Sequence, residues 1–142
     1  MQTKWLVPID GSEHSLHALE LAINEAQARS EKPELVLLNV QIALSTDITR
    51  FVDGKTVDEY HREAGDAALG SAVARLEALS MKFTSHILVG EVASTIANFA
   101  STSECSLIVM GVHGRGSVVS LLMGSVSTKV IHHSTVPVLL TK

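Results

Sequence analysis

The sequence predicts an α/β fold, a parallel β-sheet with helices on both faces. Three observations lead there. Five short runs rich in Val, Ile and Leu recur along the 142 residues, each too short for a helix. Between them lie longer segments whose apolar residues repeat at three and four residues. Alternation of the two kinds demands crossover connections, which make the sheet parallel and set helices against it.

The strand candidates are 4–9 (KWLVPI), 34–40 (ELVLLNV), 85–90 (SHILVG), 106–111 (SLIVMG) and 136–141 (VPVLLT). Four of the five look continuously apolar, as strands buried on both faces are. A helix is expected over 12–29, where Leu16, Leu19, Ile23 and Ala26 form a stripe and Ser12 is placed to cap it. A second is expected over 55–81, carried by Ala64, Ala68, Ala72, Leu76 and Leu79. Shorter helices fit 92–104 and 124–133. One domain spanning 1–142 accounts for the whole pattern, with no internal repeat or linker. The longest irregular stretch, 41–54, reads as a mobile flap or a variable connection.

Composition narrows the function. Hydrophobic residues make up 46% and charged residues 18%, which is globular and long enough for a sizeable core. A net charge of −4 opposes nonspecific nucleic-acid binding and attraction to anionic lipid. One Trp, one Tyr and three Phe offer no platform for stacking single-stranded bases. Cys105 is the only cysteine, so an internal disulfide and a cysteine metal site are excluded. The opening MQTKWLVPIDGS has an apolar run too short for a signal peptide, and no segment is long enough to span a membrane. Cytoplasmic residence is expected.

The segment GVHGRGSVVSLLMGSVS (111–127) follows the fourth strand and packs four glycines, Gly111, Gly114, Gly116 and Gly124, into fourteen residues. Glycines allow close backbone approach, and a helix N-terminus offers free N–H groups and partial positive charge. A phosphate cradle and a plain loop both fit. Two specific alternatives do not. The order here is GxxGxG where a dinucleotide fingerprint needs GxGxxG, and IHHST follows where an acidic residue belongs. No lysine stands where a P-loop needs one.

Gly111, Gly114, nine intervening residues, Gly124 and Ser125 spell G-x2-G-x9-G-[S/T] without a gap. This resembles the ATP-binding branch of the universal stress protein family. VPIDGSEHS, with Pro8, Asp10, Gly11 and Ser12 in register, resembles the family's first strand and turn, LLNV ending at Val40 its second strand, and VPVLL its fifth. The resemblance covers essentially the whole chain, and region 41–54 inherits nothing from it. It implies a Rossmann-like sheet of the adenine nucleotide alpha hydrolase-like type, order 3-2-1-4-5, with ATP or another adenine nucleotide across strands one, two and four. Asp10 would contact the ribose, beside Pro8 at the strand end. Val40 would present backbone groups to the adenine edge, and Met110 and Gly111 would flank the ribose. Gly114, Arg115, Gly116, Gly124, Ser125 and Val126 would surround the phosphates, which would carry Mg or Mn themselves. The family's role as a stress-linked regulator, with a protein partner, implies a nucleotide switch with at most slow hydrolysis. Its mode of assembly implies a homodimer through the edge strand 136–141.

Other candidates carry less. His14 and His17 share a helix face with no third ligand, and read as solvated surface. His132 and His133 sit near a helix C-terminus, where a protonated ring suits the dipole. His113 lies inside the glycine loop. No nucleophile elbow is present, and Ser117 lacks a positioned base. Two further readings stay open. One is a true ATPase or phosphotransferase using His113 or Asp10. The other is a flavodoxin-like or electron-transfer-type domain that binds another nucleotide or none.

Overall fold

The computed structural model describes residues 2–113 and 123–142. Its elements run β1 (Lys4–Pro8), α1 (Glu13–Gln27), β2 (Glu34–Gln41), α2 (Thr46–Thr49), α3 (Gly54–Ala78), β3 (Phe83–Val89), α4 (Val92–Thr102), β4 (Leu107–Gly111), α5 (Ser125–His133) and β5 (Val138–Thr141). The five strands form one parallel sheet in the order β3-β2-β1-β4-β5. The order expected from the resemblance is therefore the order observed.

Side chains alternate along each strand, so the sheet divides the core in two. On one face Trp5, Val7, Leu35, Leu37 and Val109 pack under α1 and α3, through Leu19, Ile23, Leu69 and Leu76. On the other, Leu6, Val36, Leu38 and Ile108 meet α4 and α5 through Ile96, Ala100 and Val130. Each large apolar side chain buried this way contributes about 1.5–3 kcal/mol. That exceeds any local propensity of the short strands, so burial of both faces is what holds β1, β2 and β4 extended.

Three expectations need correction. Three strands, not four, are buried on both faces, since β5 is only partly buried and β3 less still. β3 is an edge strand, as the expected order requires, and Thr84, Ser85, His86 and Val89 are exposed along it. The buried stripe of α3 is His61, Gly65, Leu69, Ala72 and Leu76, so Ala64 and Ala68 sit at its margin. A 25-residue helix with small residues on several faces left that stripe ambiguous by one position. Region 41–54 contains the short helix α2, capped by Ser45, whose Oγ accepts from Ile48 N at 3.4 Å.

The caps explain the helix starts. Ser12 Oγ accepts from Ser15 N at 3.2 Å, as expected. Asp53 Oδ1 accepts from Thr56 N at 2.8 Å, and Glu91 Oε2 from Ser94 N at 2.7 Å. Among the described helices only α5 starts on a residue without a side chain, Gly124.

Candidate functional site

The sheet changes direction of growth between β1 and β4, since β2 and β3 lie on one side and β4 and β5 on the other. Crevices open beyond the carboxyl ends of strands at such a point. Pro8 helps to open this one. Ile9 N–H donates to Leu38 O at 2.8 Å, so Ile9 faces β2 and the neighbouring Pro8 faces β4. Proline has no N–H to extend that ladder, and paired residues between β1 and β4 stop at Leu6 and Ile108.

Beyond that fork lies a cavity of about 600 Å³, within the usual range for small-molecule sites of about 300–1,000 Å³. Eight of the eleven residues expected to contact nucleotide line it, namely Pro8, Asp10, Val40, Met110, Gly111, Gly124, Ser125 and Val126, and so does His113. Gly114, Arg115 and Gly116 lie outside the described residues.

Each wall has a local cause. Asp10 ends the β1 turn, and its Oδ1 accepts from Ser12 N at 2.9 Å. Gly11 makes that turn possible at φ +85°, a backbone conformation costly for other residues. The carboxylate is thus held by the turn that leads into α1. Val40 lies next to last in β2, half-buried against the α4 side of the core. Met110 and Gly111 end β4 on the opposite side of the fork.

The start of α5 forms the remaining wall. Gly124 N–H donates to Val112 O at 2.8 Å, which ties the helix to the end of β4. Ser127 Oγ, buried, reaches Val112 O at 2.7 Å and Gly124 O at 3.0 Å. Helix geometry leaves the N–H groups of Ser125, Val126 and Ser127 without an intrahelical acceptor. All three residues line the cavity at the positive end of the helix dipole, an arrangement suited to an anion.

The sequence did not single out Asn39, Gln41, Ile42, Tyr60 or Ser127, which also line the cavity. Asn39 is buried, and its Nδ2 donates to Ile9 O at 2.8 Å, bracing β1 against β2 at the fork. Gln41 Nε2 in turn donates to Asn39 Oδ1 at 2.7 Å. An Asn inside the apolar run ELVLLNV was the available signal, since a buried amide needs a specific partner. The histidine pair is also resolved differently. His14 is half-buried, and its ring stands edge-on to His113 at 5.8 Å, whereas His17 is exposed. Among the described residues no group of three or more His, Cys, Asp or Glu could hold a metal ion. No described helix is long and apolar enough to cross a membrane.

A parallel sheet of this order, forked at β1/β4 with a glycine-started helix at its mouth, defines a Rossmann-like α/β architecture. Comparison with known proteins gives the family. The model of the universal stress protein family matches residues 1–142, and the chain belongs to that family. Universal stress protein YxiE of Bacillus subtilis (strain 168) is 32% identical over 150 aligned positions, covering 100% of both chains. The solved protein MJ0577 superposes with a TM-score of 0.78 at 28% identity, covering 100% of this chain and 96% of that one. A universal stress protein solved in complex with cAMP shares the fold at TM-score 0.70 and 24% identity, covering 99% and 97%.

Proposed function

We propose that the chain binds an adenine nucleotide, ATP foremost, in the β1/β4 crevice and acts as a nucleotide-dependent regulatory switch in the cytoplasm. One observation carries this reading: the spaced motif's Gly111, Gly124 and Ser125 meet Asp10 and Val40 around a single cavity. Anion donors at the α5 start, a carboxylate at the β1 turn and an open strand end at Val40 match phosphate, ribose and base in that order. The related protein that holds cAMP supports an adenylate as the class of ligand.

In this reading the phosphates bring Mg or Mn with them, and hydrolysis is at most slow. A binding switch requires only that bound and free states differ in their contacts with a partner protein. The chain assembles as a homodimer through the free edge of β5.

The test begins with the purified protein. Denaturation followed by anion exchange of the supernatant is expected to release an adenylate. Calorimetry of stripped protein with ATP and Mg is expected to give micromolar affinity, about −8 kcal/mol. Gly124→Val puts a branched side chain at the α5 start and is expected to weaken binding at least about tenfold. Unchanged affinity in that variant would remove the site assignment, and no heat at millimolar ATP would remove the function.

A further inference from the structure

The outer edge of β3 has its own groove. Leu35 N–H donates to Lys82 O and Gly90 N–H donates to Gln41 O, so even-numbered residues from 82 to 90 face β2. Backbone groups alternate in a parallel strand, and those of Ser85, Ile87 and Val89 therefore point away from the sheet. Among the described residues no strand pairs with them. Exposed edges are commonly blunted with proline or charge, yet FTSHILV contains neither.

The same three residues line a groove of about 480 Å³ whose other wall is α3, through Asp58, His61, Arg62 and Asp66. His61 is 5% exposed. Its Nδ1 is the one buried side-chain nitrogen or oxygen among the described residues that lacks a hydrogen-bond partner. A buried polar atom without a partner carries a desolvation cost, and a hydrogen-bonding group brought by a ligand relieves it.

Charge and spacing identify the ligand. The α3 wall sets two carboxylates against one guanidinium, in a chain of net charge −4. Asp58 and Asp66 stand two turns apart, about 12 Å along the helix axis. Residues i and i+4 of an extended strand share a face and lie about 13 Å apart.

We propose that β3 and α3 form a docking groove for an extended, basic segment of a partner protein, added as a sixth strand. Its Lys or Arg residues at i and i+4 face Asp58 and Asp66, and the hydroxyl of a Ser or Thr at i+2 hydrogen-bonds to His61 Nδ1, as donor or acceptor according to the ring tautomer. Main-chain bonds to Ser85, Ile87 and Val89 supply register, and the α3 wall supplies selectivity. A second copy is disfavoured, because two-fold pairing of β3 with itself brings two acidic α3 walls together.

The probe is a fluorescein-labelled Lys-Val-Thr-Val-Lys amide, compared with Glu-Val-Thr-Val-Glu and Lys-Val-Val-Val-Lys. Anisotropy is expected to rank the first peptide tightest, and its binding to shift the amide resonances of Ser85, Ile87 and Val89. Ser85→Pro removes one outward N–H while sparing the β2 ladder, and about a tenfold loss of peptide affinity is expected from one lost backbone bond. Nucleotide titration of that variant is expected to match the parent. His61→Phe is expected to abolish the preference for Thr over Val. Should Ser85→Pro fail to fold, N-methylation of the peptide's sheet-facing amides makes the same test on the parent protein. Equal binding of the acidic peptide, unshifted β3 amides at millimolar peptide, or indifference to the lost N–H would overturn the proposal. Protection of the β3 amides on raising protein concentration without peptide would assign the edge to a second copy and overturn it equally.

Discussion

Gly111 closes β4 with backbone pressed against it from two elements. A Cβ built there meets His113 O at 3.0 Å and His14 O at 3.1 Å, and neither is the end of a flexible side chain. Gly111→Ala is therefore expected to destabilise the fold by about 1–3 kcal/mol through overpacking. It is also expected to weaken nucleotide binding, because relief requires α1 and the start of the glycine segment to part. A denaturant midpoint and an ATP titration of the variant check the two effects. The spaced motif already marked this glycine in the sequence. Its physical reason was not legible, since His14 lies almost a hundred positions away. Asn39 shows the same limit, with a partner, Ile9, thirty residues upstream.

Helices α3 and α4 end in the same way. Met81 N–H donates to Leu76 O and Ser80 N–H to Glu77 O, a pattern repeated by Cys105 to Ala100 and Glu104 to Ser101. Such an ending needs one left-handed residue, usually glycine. Here Ser80 takes φ 53° and Glu104 takes φ 58°. Ser80→Gly is expected to stabilise the protein by about 1 kcal/mol, a rise of a few degrees in Tm by calorimetry. The α4 start makes an opposite kind of prediction. Bonds from the Ser94 side chain and backbone hold the Glu91 carboxyl below its ordinary value, with Ala93 N–H adding to them. A depressed folded-state pKa means stability present above the ordinary Glu value of about 4.3. That stability is lost as pH falls through the lowered value. Glu91→Gln is expected to flatten that part of the acid limb in a plot of Tm against pH. Both helix ends were within reach of the sequence as positions. The left-handed residues were not, because neither is glycine.

For the whole molecule the decisive feature is which strand edges stay open. Ile108 N–H donates to Pro137 O and Val112 N–H to Thr141 O, so the backbone groups of Val138 and Leu140 face outward from β5. Leu139 is 37% exposed on the same strand. If β5 pairs with its copy, Leu139→Lys sets like charges across the dyad, a common way to block edge pairing. Light scattering is expected to show the native protein at twice the chain mass and the variant at one chain mass. A native protein already at one chain mass would remove the proposed dimer.

The amino-acid sequence determined the parallel α/β class, the order of all five strands along the chain and the residues of the glycine motif. Local periodicity and spacing are enough for those, and they do not depend on what packs against what. Periodicity alone could not assign β3 to the edge, because an apolar run looks alike whether one or both of its faces are covered; the family resemblance did so, through the order 3-2-1-4-5. Nor could the sequence bring Ile42, Tyr60 and Ser127 to the cavity wall, or leave His61 Nδ1 unbonded beneath an open strand. Those features come from contacts between segments far apart in the chain. Only the folded sheet, with Pro8 parting β1 from β4 and α3 laid along β3, decides them.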